Sequence, residues 1–245
     1  MLILLAGIFG ASSASAALKV ADLKDRAAVI EYASQTGDWT YLTRLSMLLA
    51  DEKARGDAAP LPHYYAALAA YRAAEIDEDV ELRVGVLLDR CIDQTKAALK
   101  IRPDWSEALA LAGACHGLAA RRQPLSALIA GNFAARELKQ ALVINPENPR
   151  AMLLQAVTLL RRFEDPDRVA LARQLLVDAI ARFEQFPSPT MEGGPTWGEE
   201  HAHFWLAHVA SLNRDTSAAR DHLEQALLIA PDLKIAQVSL ARIGR

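Results

Sequence analysis

Residues 91 to 120 read CIDQTKAALKIRPDWSEALALAGACHGLAA and hold both cysteines of the chain, Cys91 and Cys115, each twelve residues from Pro103. The octapeptide ALKIRPDW at residues 98 to 105 returns as ALVINPEN at 141 to 148 and as ALLIAPDL at 226 to 233. A segment that recurs at a steady interval is a packing unit before it is a chemical site. Prolines at 60, 103, 146, 187 and 231 extend the pattern, 43, 43, 41 and 44 residues apart, and each follows an Ala/Leu-rich stretch long enough for a helix. Proline stops such a helix because it cannot donate the next backbone hydrogen bond.

The rest of the composition agrees with stacked helices. Of 245 residues 52% are hydrophobic and 23% charged, enough to bury a core in one large domain or two smaller ones. Alanine and leucine dominate, and no Val/Ile/Thr-rich segment alternates with period two, so the chain reads as all-α. A net charge of -3 and a pI near 6.1 supply no electrostatic reason to expect nucleic acid or an anionic membrane surface as partner.

The opening MLILLAGIFGASSASA, residues 1 to 16, is an apolar run followed by small residues ending Ala14-Ser15-Ala16, an A-x-A cleavage pattern. It is expected to be a signal peptide cleaved after Ala16, which places the mature protein in the periplasm or outside the cell. The run has no Lys or Arg before it and is short of the roughly 20 residues a spanning helix needs. Membrane contact is expected only if this segment stays uncleaved.

Counting back from Pro231 meets Ala226, Leu223 and Ala219, and the same steps from Pro146 meet Ala141, Leu138 and Ala134. Small residues let a neighbouring helix approach closely, and the leucine fills the gap between them. The preceding helices carry the complement, in Leu109-x-x-Ala112-Gly113-x-x-His116, Tyr65-x-x-Leu68-Ala69 and His203-x-x-Leu206-Ala207. These positions resemble the tetratricopeptide repeat family, whose paired helices carry W-x-x-L-G-x-x-Y and A-x-x-x-F-x-x-A-x-x-x-x-P. The resemblance covers residues 61 to about 240 and implies a right-handed α-α superhelix, a solenoid of antiparallel helix pairs. The early repeats depart from the family in having longer helices, and Cys91 and Thr95 stand where a small and a large apolar residue belong.

The expected organisation after the signal peptide is a capping helix pair over residues 17–58 and a repeat domain over 59–245. Repeats fall at about 61–103, 104–146, 147–187 and 196–231, with a closing helix at 233–243. Breakers and caps set the limits: Gly37 ends one helix, Asp38 caps the next, and Pro124 and Pro166 begin second helices.

The cysteines then flank one turn between antiparallel helices. In an exported protein they form either a disulfide clamping this joint or two buried thiols at small-residue positions. No CxxC motif or four-ligand zinc set accompanies them.

The tetratricopeptide register implies a concave groove lined by the first helices: His63, Ala66 and Ala70; Glu107, Ala110 and Ala114; Arg150, Leu153 and Val157; His201, Phe204 and His208. The Asn and Lys residues with which some family members clamp a C-terminal carboxylate have no match there. An amphipathic helix or an apolar extended peptide suits such a groove. The other reading is that the N-terminal helices, or a loop, fill it from within the same chain.

Other features carry two readings each. WGEEHAHFWLAHVA at 197–210 invites a metal or small-ligand site built from His63, His201 and His208, yet its histidines point to different sides of one helix. Arg121-Arg122 and Arg161-Arg162 complement helix C-termini or form an anion-binding edge. In the long loop of residues 184–198, Trp197 packs at the start of the next helix, or the loop folds over the groove and brings Met191 and Trp197 to a partner. The sequence thus points to a non-catalytic interaction scaffold without cofactor, binding a protein or peptide.

Overall fold

The computed structural model describes residues 20–76, 81–122, 127–160, 164–185 and 191–243. The expected signal segment, Arg161, Arg162, Pro124 and Pro187 lie outside them. Among the described residues every regular element is helical: α1 (Val20–Thr36), α2 (Trp39–Ala50), α3 (Leu61–Ile76), α4 (Glu81–Ile101), α5 (Ser106–Arg122), α6 (Ala127–Ile144), α7 (Pro149–Leu159), α8 (Pro166–Gln185), α9 (Glu199–Leu212), α10 (Thr216–Ile229) and α11 (Lys234–Ile243). A short 3-10 turn spans Gly56–Ala58.

The turns follow from side-chain chemistry at the breaks. Gly37, at φ 77°, takes the left-handed conformation after α1 that costs other residues strain. Asp38 then accepts from Tyr41 N at 3.0 Å and starts α2. Asn148 accepts from Arg150 N and Ala151 N to start α7, with Pro149 at its first position. Its Nδ2 donates to Ser106 Oγ, which donates to the carbonyl of Ala141, so one buried network ties the end of α6 to the starts of α5 and α7. Asp215 caps α10 through Ala218 N.

Helices pack mainly with their chain neighbours, in pairs α3–α4, α5–α6, α7–α8 and α9–α10, while α3, α5, α7 and α9 also pack on one another in order. That is the layering of a solenoid: first helices inside, second helices outside. The second helices bury one repeated seam, Ala134, Leu138 and Ala141 on α6, Ala172, Leu176 and Ala179 on α8, and Ala219, Leu223 and Ala226 on α10. Cys91, Thr95 and Ala98 hold the same register on α4 and are equally buried, and Thr95 satisfies its hydroxyl by donating to Ile92 O. The seams need small partners: a Cβ on Gly113 would stand 2.7 Å from Leu138 Cγ and 3.1 Å from the Ala134 carbonyl oxygen.

Inside the stack, α3 and α5 are apolar nearly all round and buried nearly all round. Cys91 of α4 and Cys115 of α5 form a disulfide, with Cα atoms 6.0 Å apart, across the joint the sequence singled out. Closing that loop contributes on the order of 3 kcal/mol in a chain-entropy account.

The two N-terminal helices pack on each other and both on α3, but they do not act alike. Helix α2 packs against α3 at the end of the stack, whereas α1 packs on α3 and also touches α11. The Cβ position of Gly37 lies 3.8 Å from Lys234 Cδ. Helix α1 therefore crosses from the first repeat to the closing helix. It uses a narrow seam of Ala27, Ile30 and Ala33, which spares its other faces for solvent.

Candidate functional site

The concave side of α3, α5, α7 and α9 is the candidate site, and the chain occupies it with two segments of its own. Residues 191–198 form the first. Tyr65 Oη donates to the carbonyl of Gly193 at 2.8 Å, Trp197 Nε1 donates to Tyr64 Oη at 3.1 Å, and the Arg72 guanidinium lies 4.8 Å from the centre of the Trp197 ring. Trp197 is only 2% exposed, with Pro195 buried behind it. Gly198, at φ 124°, passes so close to α7 and α8 that a Cβ would stand 2.8 Å from Phe183 Cζ. Of the two readings of Trp197, packing over the groove is the one the structure adopts. Met191 is half-buried, and Arg102 donates to its Sδ at 3.6 Å.

The second segment is α1. Ile30, Glu31 and Ser34 close over Arg72, Trp197, Glu200 and His201, leaving a cavity of about 10 Å³. That holds about one water molecule and no organic ligand.

Beneath these covers the groove residues make definite partners. Arg150 Nε donates to Glu107 Oε2 at 2.9 Å, joining α7 to α5, and its Nη1 donates to the Trp197 carbonyl at 3.1 Å. The pair is nearly buried, and each charge offsets the desolvation of the other. Arg72 donates to Glu75 Oε2 at 2.7 Å. Burial disfavours the Glu200 carboxylate, but His201 Nδ1 at 2.7 Å and the nearby Arg72 outweigh it and hold its pKa down at about 2. Glu31 goes the other way: burial first, then the Glu200 charge, push its carboxyl from 4.5 to about 8, against the pull of Arg72 and Arg150.

Of the two readings of the groove, open or filled from within the chain, the described residues adopt the second over most of its length. Arg150, Leu153, Val157 and His201 are buried, and Glu107 and His63 are partly buried. Phe204 and His208, on α9, are partly buried as well, together with Trp205. Helix amphipathicity identifies the lining positions, but the covering segments meet them through contacts about 40 to 130 residues apart in sequence, which no repeat announces.

The three histidines proposed for a metal do not converge. His63 Nδ1 lies 2.7 Å from Gln94 Oε1, His201 is held by Glu200, and the His208 ring meets Trp205 edge-on. The pair brought together is His203 of α9, which the repeat register placed at a large-residue position, and His222 of α10, which the sequence did not single out, with Nδ1 atoms 3.3 Å apart. Burial and then the His222 neighbour lower the His203 pKa to about 4, and burial lowers that of His222. Among the described residues no three His, Cys, Asp or Glu side chains gather as metal ligands. Arg121 and Arg122 end α5, and Arg122 Nε is buried without a hydrogen bond among the described residues.

No family model matches the chain, and no curated protein matches it. Solved structures do. The HusA haemophore from Porphyromonas gingivalis superimposes with a TM-score of 0.55 at 21% identity, over 82% of this chain and 96% of that one. A thermophilic tetratricopeptide protein from Thermus thermophilus superimposes with a TM-score of 0.51 at 18% identity, over 84% of this chain and 98% of that one. The described residues have an all-α, solenoid-like fold similar to that of the tetratricopeptide protein.

Proposed function

We propose that this protein is a non-catalytic interaction scaffold of the periplasm or cell envelope whose concave face binds a helical or extended segment of a partner protein. One observation carries the reading: the groove already receives a helix, α1, and an extended strand of loop, residues 191–198, from its own chain. A surface that accommodates both forms in cis has the apolar lining and the polar anchors to accommodate them in trans. The loop is fastened by several hydrogen bonds to buried partners, whereas the described side chains of α1 hold on through a narrow apolar seam and one partly exposed ion pair, so α1 is the segment a partner replaces.

The test places a photo-crosslinking side chain at Phe204, at the groove end, and at Leu128, on the outer face, in the full chain in its native envelope fraction. Adducts are expected at Phe204, none at Leu128, and an excess of a peptide with the sequence of residues 20–36 suppresses them. Adducts at Leu128 alone, or adducts indifferent to the peptide, overturn the reading.

A second reading takes its motive from the haemophore neighbour and one local feature, the half-exposed His203–His222 pair of α9 and α10, with Phe204 and Trp205 next to it along α9. Neutral imidazoles beside aromatic rings suit a flat, iron-bearing macrocycle. Titration with haemin separates the two readings: a saturable Soret shift abolished by His203→Ala and His222→Ala favours this one, and its absence removes it.

A further inference from the structure

We propose that α1 is a proton-gated latch on the concave face, docked while Glu31 carries a proton and released when that carboxyl ionises. The inference deepens the groove reading by naming what controls access to it. It rests first on geometry. Among the described residues Glu31 Oε1 is buried without a hydrogen-bond partner, although part of its side chain reaches the surface. The cavity beside it admits about one water, too little to hydrate a carboxylate.

Arg72 and Arg150 both pull on a charge at Glu31, but among the described residues neither forms an ion pair with it, and burial together with the Glu200 charge outweighs them. Arg72 of α3 is committed to Glu75 at 2.7 Å, and Arg150 of α7 to Glu107 and the Trp197 carbonyl. Glu200 of α9 repels a second carboxylate, and its own partner is His201. Tyr65 of α3 stays a neutral phenol, its pKa raised by burial. Lys234 of α11 lies beside Gly37, six residues past Glu31, with no ion pair to Glu31 among the described residues, and Arg26 pairs with Glu52 at 3.3 Å. A proton on Glu31 is thus the available neutraliser.

Among the described side chains of α1, Ala27, Ile30 and Ala33 are the buried apolar contacts, Val29 adds a partly buried one, and the ion pair from Arg26 to Glu52 is partly exposed.

The direction with pH follows by linkage. Below about 4.5 the docked and released forms both hold the proton, and docking is at full strength. Between about 4.5 and about 8 the released form gives up its proton while the docked form keeps it, so docking weakens about tenfold per pH unit. Above about 8 both are ionised and the loss is complete.

Hydrogen exchange of residues 20–36 in the full chain, at about pH 5, 6.5 and 8 and corrected for the intrinsic rate, measures this directly, with the amides of α10 as reference. The opening constant of α1 is expected to rise about a hundredfold or more from pH 5 to pH 8, with α10 lagging behind. In Glu31→Gln and Glu31→Leu, which remove the ionisation, the α1 constant should be flat. Equal α1 protection at every pH in the wild type, a rise shared in full by α10, or an unchanged slope in both variants overturns the latch. No partner is present, so the latch and the partner reading fail separately.

Discussion

Trp197 Nε1 donates a hydrogen bond to Tyr64 Oη at 3.1 Å, joining the loop before α9 to the first repeat across 133 residues. The contact closes the solenoid on itself. A regular stack has only neighbour contacts, so its repeats can loosen one at a time. Here the ring of Trp197, the Arg72 guanidinium above it and the Arg150 bond to its carbonyl connect α3, α7 and α9 in one unit.

Trp197→Ala is therefore expected to destabilise the whole chain by about 3–5 kcal/mol, the range for emptying a large buried aromatic site. Urea unfolding followed by circular dichroism reads it. Trp197→Phe keeps much of the volume but leaves Tyr64 Oη without its donor, and about 1–2 kcal/mol is expected. A wild-type midpoint in both would mean the loop does not brace the repeats.

The Arg150–Glu107 pair predicts asymmetry. Removing one partner, as in Glu107→Leu or Arg150→Met, strands a buried charge and should cost about 3–5 kcal/mol. The double replacement leaves no charge to strand and should cost less than either single change, a comparison equilibrium unfolding of the three variants makes.

Two glycines should respond in opposite directions. Gly113→Ala drives a Cβ into Leu138 and the backbone of α6, so a loss of about 1–3 kcal/mol is expected. Gly131, within α6, has nothing within 4 Å of its Cβ position, and Gly131→Ala should gain about 0.5–1 kcal/mol from helix propensity. Thermal midpoints of the two variants in one buffer decide both.

The His203–His222 contact makes acid unfavourable at the α9–α10 end. The folded-state pKa of His203 lies near 4, below its ordinary 6.5. Its neutral form therefore stabilises the fold fully above about 6.5, and that contribution is lost as pH falls toward 4. The difference in thermal midpoint between wild type and His203→Gln should shrink or reverse over that window. A difference independent of pH would show that the pair does not titrate with folding.

Reduction of Cys91–Cys115 should lower stability by about 3 kcal/mol without separating α4 from α5, because the Ala98 and Ala108 packing around it persists. Unfolding midpoints with and without reductant, at unchanged helical ellipticity, are the check.

What the sequence by itself determined is the repeated part. Ala134, Leu138 and Ala141 return as Ala219, Leu223 and Ala226 because every hairpin meets the next through the same seam, and a local rule applied several times leaves a periodic trace. The proline turns and the caps at Asp38 and Pro166 are equally local, so the helix limits follow within a few residues. The lining of the concave face is legible for the same reason, since helix periodicity fixes which positions point inward. Its occupancy is a different matter. Glu31 against Arg72 and Glu200, Trp197 over Tyr64, and His203 beside His222 are single encounters with no repeat to announce them. Only the tertiary structure decided these, because they depend on how the stacked pairs curve and on which free segment is long enough to cross the hollow that curvature leaves.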